Sequence, residues 1–226
     1  MAANLSAIRR PMPSPTIYLV RHAHTDMNAD GKQSSLERGW SGAQLDDLGV
    51  QQAQQTGKQL AGKGIKNLAC SDLPRNLQTA QIIGDIIGAQ VHPTPMLRTW
   101  NTGDFTGGSI DKTRPELKKY FDNPEMKVPG GESYADFYDR TRQAMSYMMN
   151  HSMENPGENL GAVMHSNHMV ALNGILSSGV DSPVNPRLLD YSSDKQYKPG
   201  QITQLSYGNG TWTPNKIYEP AQSLSA

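Results

Sequence analysis

The chain has 226 residues, of which 36% are hydrophobic, and its 21 basic and 21 acidic side chains cancel at neutral pH. That length suits one large α/β domain, and the zero net charge offers no global field for nucleic acid or an anionic membrane. The single cysteine excludes an internal disulfide and fits a reducing, cytoplasmic compartment; within Leu68-Ala69-Cys70 it reads as a buried thiol.

Met1 to Pro15 contains Arg9-Arg10 and several prolines but no apolar stretch of the secretory kind, and no run approaches the ~20 apolar residues of a membrane span. Residues 1–15 and 219–226 are therefore expected to be loose arms around one domain at 16–218. Residues 17–21 read as a buried central strand. Asp46 can cap a helix from about Leu48 to Leu60, and Ile65 to Cys70 reads as a second buried strand. Ser71-Asp72 offers a cap, Pro74 suits a first helical turn, and Leu77, Ala80, Ile83 and Ile87 follow at helical spacing.

From Trp100 to Gly131 the pattern is irregular, with Pro115, Pro124 and Pro129 and a short helical piece near Glu116–Phe121. The stretch is too long for a plain connector and suggests a lid. Ser133 and Asp136 form a capping-box pattern ahead of a long helix whose inner face carries Phe137, Thr141, Ala144 and Met148. Met145, Met148, Met149 and Met153 read as packing residues. Another buried strand, Gly161 to Met164, ends at His165, and a helix follows from Met169 to Leu176. Gln201–Tyr207 and Thr211–Ile217 read as a hairpin turned by Gly208-Asn209-Gly210. Strands alternating with helices predict a three-layer α/β/α sandwich with a mostly parallel central sheet and an irregular lid segment.

Three strand ends then present Arg21-His22, Ser71-Asp72 leading to Arg75, and His165. In a parallel sheet these ends share one edge, so residues distant in sequence can converge there. Arg75 stands in the first turn of its helix, where free N–H groups and the helix dipole also favour an anion. Two guanidiniums offer bidentate hydrogen bonds to phosphate oxygens, whereas cationic neighbours oppose a metal ion at the two histidines. The combination suits a phosphoryl group, with no metal and no organic cofactor.

These residues lie in motifs that resemble the histidine phosphatase superfamily, in its phosphoglycerate mutase-like branch. The motifs are Arg21-His22-Ala23-His24-Thr25-Asp26-Met27-Asn28, Gly39-Trp40, Leu45-Asp46-Asp47-Leu48-Gly49, and Ser71-Asp72-Leu73-Pro74-Arg75-Asn76-Leu77-Gln78-Thr79-Ala80. Pro129-Gly130-Gly131-Glu132-Ser133 and Val163-Met164-His165-Ser166-Asn167 continue the series. The resemblance covers roughly residues 16–215, in order. It implies that His22 attacks phosphorus to give a phosphohistidine that water hydrolyses, with Arg21, Arg75, His165 and Asn28 around the oxygens. Gly39, Ser166 and Asn167 are further expected contacts to a small phosphorylated substrate, and a homodimer is a further expectation.

Three positions depart from the family pattern. Thr99 stands where the family has a glutamate that protonates the leaving oxygen; Asp104 is the proposed substitute, Glu132 the second candidate, and a reaction without an acid the third. Ala23 and Ser166 replace glycines, a strained choice if either position needs φ > 0. The missing glutamate disfavours mutase action and leaves a phospho-ligand-binding pseudoenzyme as the rival from another class.

Overall fold

The protein is described here by a computed structural model covering residues 14–28, 35–190 and 197–223. The expected head, at residues 1–13, therefore lies outside the described residues. A six-stranded sheet is formed by β1 (Thr16–Arg21), β2 (Ile65–Ser71), β3 (Gln90–Thr94), β4 (Asn159–Met164), β5 (Ile202–Gly208) and β6 (Thr211–Tyr218). Its order is β3-β2-β4-β1-β5-β6, with the first four strands parallel, β5 antiparallel to β1 and β6 antiparallel to β5. Pairing of β5 with β6 leaves Asn209 and Gly210 at the tip, both at positive φ, which matches the two-residue hairpin read from the Gly208-Asn209-Gly210 turn.

Helices α1 (Asp47–Leu60), α2 (Pro74–Ile87), α3 (Ile110–Asp122), α4 (Tyr134–Glu154) and α5 (Ser166–Ser178) surround the sheet. The alternation along β1 explains the layers. Ile17 and Leu19 join a core with Phe137, Met145 and Met148 of α4 and Ala171 and Ile175 of α5. Tyr18 and Val20 face the other way, into a core with Leu60 of α1 and Ala80 and Ile83 of α2. Both faces are covered, so every residue of β1 is buried, as the continuous apolar run required.

Most boundaries fall within a few residues of expectation, and the departures have physical reasons. Helix α2 is capped by Leu73 without a side-chain hydrogen bond, so the predicted Ser71-Asp72 cap is wrong. Asp72 instead receives two hydrogen bonds from Arg98, at 2.7 and 2.6 Å. Strand β3 escaped notice because it is a mostly exposed edge strand containing Pro93, with no apolar alternation. In the lid, α3 is longer than the Glu116–Phe121 piece: Thr113, Leu117 and Phe121 recur every fourth residue and bury one face, which holds the helix together across Pro115. At the chain end Gln52 Nε2 donates to the Ala221 carbonyl at 2.8 Å and Pro220 is buried, so the backbone is held as far as Ala221. Met153 is exposed, unlike its three helical neighbours in the methionine group. No helix among the described residues is long and apolar enough to cross a membrane.

Candidate active site

Register places the three strand ends level with one another. Arg21 of β1 lies opposite Met164 of β4, so His22 and His165 occupy the next rung, while Cys70 of β2 lies opposite Val163. The two imidazoles meet edge to face with centroids 5.2 Å apart. In the first turn of α2, Arg75 brings its Nη2 to 3.4 Å from His165 Nδ1. Helices α2 and α5 both start at this edge without a Ser, Thr, Asp or Asn cap; α2 has no side-chain cap, and at α5 the His165 and His168 side chains form the capping box.

Hydrogen bonds select the tautomers. His22 Nδ1 is 2.8 Å from the Ala23 carbonyl oxygen, which can only accept, so Nδ1 carries the proton and Nε2 keeps its lone pair. At His165 the logic reverses. Its Nδ1 faces a guanidinium that can only donate, so the proton belongs on Nε2, and that buried Nε2 has no partner among the described residues. The site thus pairs a nucleophilic nitrogen with a donor nitrogen, and Arg75 Nε is a second buried donor without a partner among the described residues.

Electrostatics reinforces the neutral forms. Burial pushes the His22 pKa well below its ordinary value, and Arg75, Arg21 and Arg38 push it further, with the Ala23 carbonyl acting weakly against them. His165 is lowered by burial first, then by Arg75, His22, His168 and Arg38. His165 therefore serves as a neutral donor when the pocket holds no anion. Arg75 is lowered to about 9 by burial, so it keeps its charge at neutral pH.

Second contacts hold the cluster in place. Arg21 donates from Nη1 to the Tyr197 carbonyl. Arg75 Nη2 donates to the Gly39 carbonyl at 2.8 Å and Nη1 to that of Ser41 at 3.4 Å. Thr79 donates its hydroxyl to the Arg75 carbonyl at 2.7 Å and accepts from the Ala23 amide at 3.1 Å, tying the first motif to the second. Ala23 is fully buried, and among the described non-glycine residues Asn209 is the one with positive φ, so neither Ala23 nor Ser166 is strained.

The remaining candidates separate. Asn28 accepts from Thr25 N and Oγ1 through its Oδ1, at 3.0 and 2.8 Å, so it braces the loop after His22 and keeps Nδ2 to donate. Gly39 supplies the carbonyl that holds Arg75, while its N–H already donates to Glu37 Oε1 at 3.3 Å. Ser166 opens α5, and Asn167 donates from Nδ2 to Thr99 Oγ1 at 3.3 Å. Thr99 is buried and its carbonyl accepts from Trp40 Nε1 at 2.7 Å.

The two candidate acids have different surroundings. Asp104 is exposed on a 3-10 turn, with its backbone N–H on the Pro129 carbonyl at 2.9 Å and its Oδ1 over Gly130. Glu132 receives Arg140 at 2.7 Å and the Asn101 N–H at 2.9 Å, so it anchors the lid. Among the other histidines, His24 pairs with Asp46 at 2.6 Å, and His168 is wholly buried against His165 and Phe137. Sequence reasoning missed Arg38, whose charge acts on His22, Arg75 and His165; its place beside Gly39-Trp40 was the available signal.

Comparison with known proteins shows the family and agrees with the fold. The profile of the histidine phosphatase superfamily (branch 1) matches residues 17–219. A probable phosphoglycerate mutase (GpmB) of Erwinia tasmaniensis is 36% identical over 134 residues, and the match spans 57% of this chain and 60% of that protein. The corresponding protein of Proteus mirabilis is 28% identical over 216 residues, covering 92% and 93%. Among solved structures, a mycobacterial glucosyl-3-phosphoglycerate phosphatase superposes with a TM-score of 0.69 at 22% identity, covering 90% of this chain and 98% of that one. A phosphoglycerate mutase of Bacillus anthracis gives 0.70 at 20% identity, covering 91% and 93%.

Proposed function

Because the chain belongs to the histidine phosphatase superfamily (branch 1), we propose that it hydrolyses small phosphomonoesters through a phosphohistidine on His22. One observation carries the reading: a buried imidazole whose Nδ1–H is tied to Ala23 keeps its Nε2 lone pair beside the guanidiniums of Arg21 and Arg75. In the first step His22 Nε2 bonds to phosphorus, the ester P–O bond breaks, and its electron pair leaves on oxygen. Arg21, Arg75, the His165 Nε2–H and the N-termini of α2 and α5 stabilise the charge on the three equatorial oxygens. In the second step water attacks phosphorus, the P–N bond breaks, and its pair returns to Nε2.

Hydrolysis is favoured over mutase action by Thr99, which stands where a carboxylic acid would serve both half-reactions of a mutase. The names of the relatives include both activities, so the mutase is the second reading, and a primed assay with 3-phosphoglycerate tests it. The primary test is His22→Ala with a 32P-labelled aryl phosphate. Acid quenching of the wild type should trap labelled protein, and the variant should trap none and lose hydrolysis. Full activity in the variant would overturn the proposal. Tight phosphate binding without turnover by the wild type would mark a binding protein instead.

A further inference from the structure

Helix α5 opens on two histidines that hold one another. His168 stands three residues after His165, wholly buried, and its Nδ1 accepts the His165 backbone N–H at 3.4 Å. From the other side, the His168 N–H donates to the His165 carbonyl at 3.1 Å and completes the capping box on the His165 side chain. The two rings lie almost parallel, 23° apart, with centroids separated by 5.6 Å. On α4, Phe137 meets the His168 ring edge to face at 5.1 Å. Arg140, one turn further along α4, lies 5.5 Å over the Phe137 ring and is fixed by Glu132 and by the carbonyls of Arg98 and Met96. His168 is thus clamped between α4 and the imidazole of His165.

Packing alone does not explain a histidine at this position. With Nδ1 accepting, the ring proton lies on Nε2, which is buried with no partner among the described residues. A buried donor left unpaired destabilises a fold, and an apolar side chain of similar volume would bring no such penalty. What an apolar side chain lacks is an acceptor for the His165 N–H. That N–H belongs to the N-cap residue, whose backbone at φ −115° and ψ 163° sets where the His165 ring starts from. The direction of the ring matters because Nδ1 is taken by Arg75, so Nε2–H is the donor left for a phosphoryl oxygen. Nε2 lies at the far end of the ring from Cα, where a small backbone rotation displaces it most. Burial and Arg140 keep the His168 imidazole neutral, with its pKa at about 3, so the acceptor is present at neutral pH.

We propose that His168 is a positioning residue for the reaction. Its hydrogen bond to the His165 N–H, and the ring it lays against the His165 imidazole, hold the His165 Nε2–H on the oxygens of the transferred phosphoryl group. The assignment rests on the phosphatase reading above.

The test is a double-substitution cycle on an aryl phosphate. His168→Leu keeps the volume and loses the acceptor; it should lower kcat about 10-fold while KM stays within about 2-fold. His168→Asn, whose Oδ1 can accept in place of Nδ1, should stay within about 3-fold of the wild type. In a His165→Ala background, His168→Leu should cost less than about 2-fold, because the donor it positions is gone. His168→Phe, which keeps the flat ring without the acceptor, reads the same loss if the leucine variant does not fold. A merely structural role predicts equal losses in both backgrounds, and that result would overturn the assignment, as would equal losses in the asparagine and leucine variants. A second measurement needs no turnover. In 1H–15N spectra of the histidine rings, inorganic phosphate should shift the His165 Nε2 resonance in the wild type and in His168→Asn, and much less in His168→Leu. Equal shifts in all three proteins would refute the role of His168. A fully active His22→Ala would instead refute the phosphatase reading, and the phosphate-induced shifts would still judge His168 by themselves.

Discussion

His168 carries a pH-dependent part of the stability that can be isolated by experiment. It is wholly buried between His165 and Phe137, its Nδ1 accepts the His165 N–H at 3.4 Å, and its pKa falls to about 3, through burial first and Arg140 second. An unfolded histidine binds its proton near pH 6.5. The unfolded chain thus takes up a proton that the folded protein refuses, and stability is complete above pH 6.5 and is lost as pH falls toward 3. Integrating from pH 8 to pH 5 gives about 2 kcal/mol from this one group. The figure depends almost wholly on the unfolded value, since at pH 5 the folded imidazole is neutral for any pKa below about 4. His168→Asn keeps an acceptor for the His165 N–H and removes the titration. Urea unfolding at pH 8 and pH 5, followed by tryptophan fluorescence, should show the wild type losing about 2 kcal/mol more than the variant across that interval. His22 and His165 contribute losses of their own, but both proteins share them. Parallel losses in the two proteins would refute the reasoning.

Four other expectations can be checked by melting or labelling. Gly103→Ala should cost more than about 2 kcal/mol and lower Tm by roughly 4 to 8 °C, because Gly103 lies at φ +48° with a Cβ position 2.0 Å from the Pro129 carbonyl oxygen. Gly42→Ala, where nothing lies within 4 Å, should change stability by less than about 0.5 kcal/mol. Ser133→Ala should cost about 1 kcal/mol by removing the capping box at the start of α4, where Ser133 Oγ accepts the Asp136 N–H at 3.0 Å. Cys70 is fully buried and its thiol is pushed up to about 12, so native protein should resist a thiol reagent that labels it promptly in denaturant.

The amino-acid order alone determined the layers and the edge where chemistry happens. Apolar runs such as Ile17–Val20 can be buried on both sides only in a sheet covered by helices, and the polar residues that end those runs must then gather at one edge. Arg21, His22, Arg75 and His165 were legible for that reason: each follows a strand or opens a helix at a short, local spacing. Only the tertiary structure decided what each group can do. The tautomers of His22 and His165 depend on a carbonyl and a guanidinium facing one nitrogen of each ring, and such facing has no periodicity in a sequence. Arg38 was invisible for a related reason: the loop that carries it is held by hydrogen bonds to residues 107–109 and by the Arg75 side chain. Asp104 ranked ahead of Glu132 as the acid in the sequence, and packing left Asp104 at the surface and gave Glu132 to Arg140. Residue type and spacing encode the local conformation of the chain, whereas protonation and reach follow from contacts made only when distant segments close on one another.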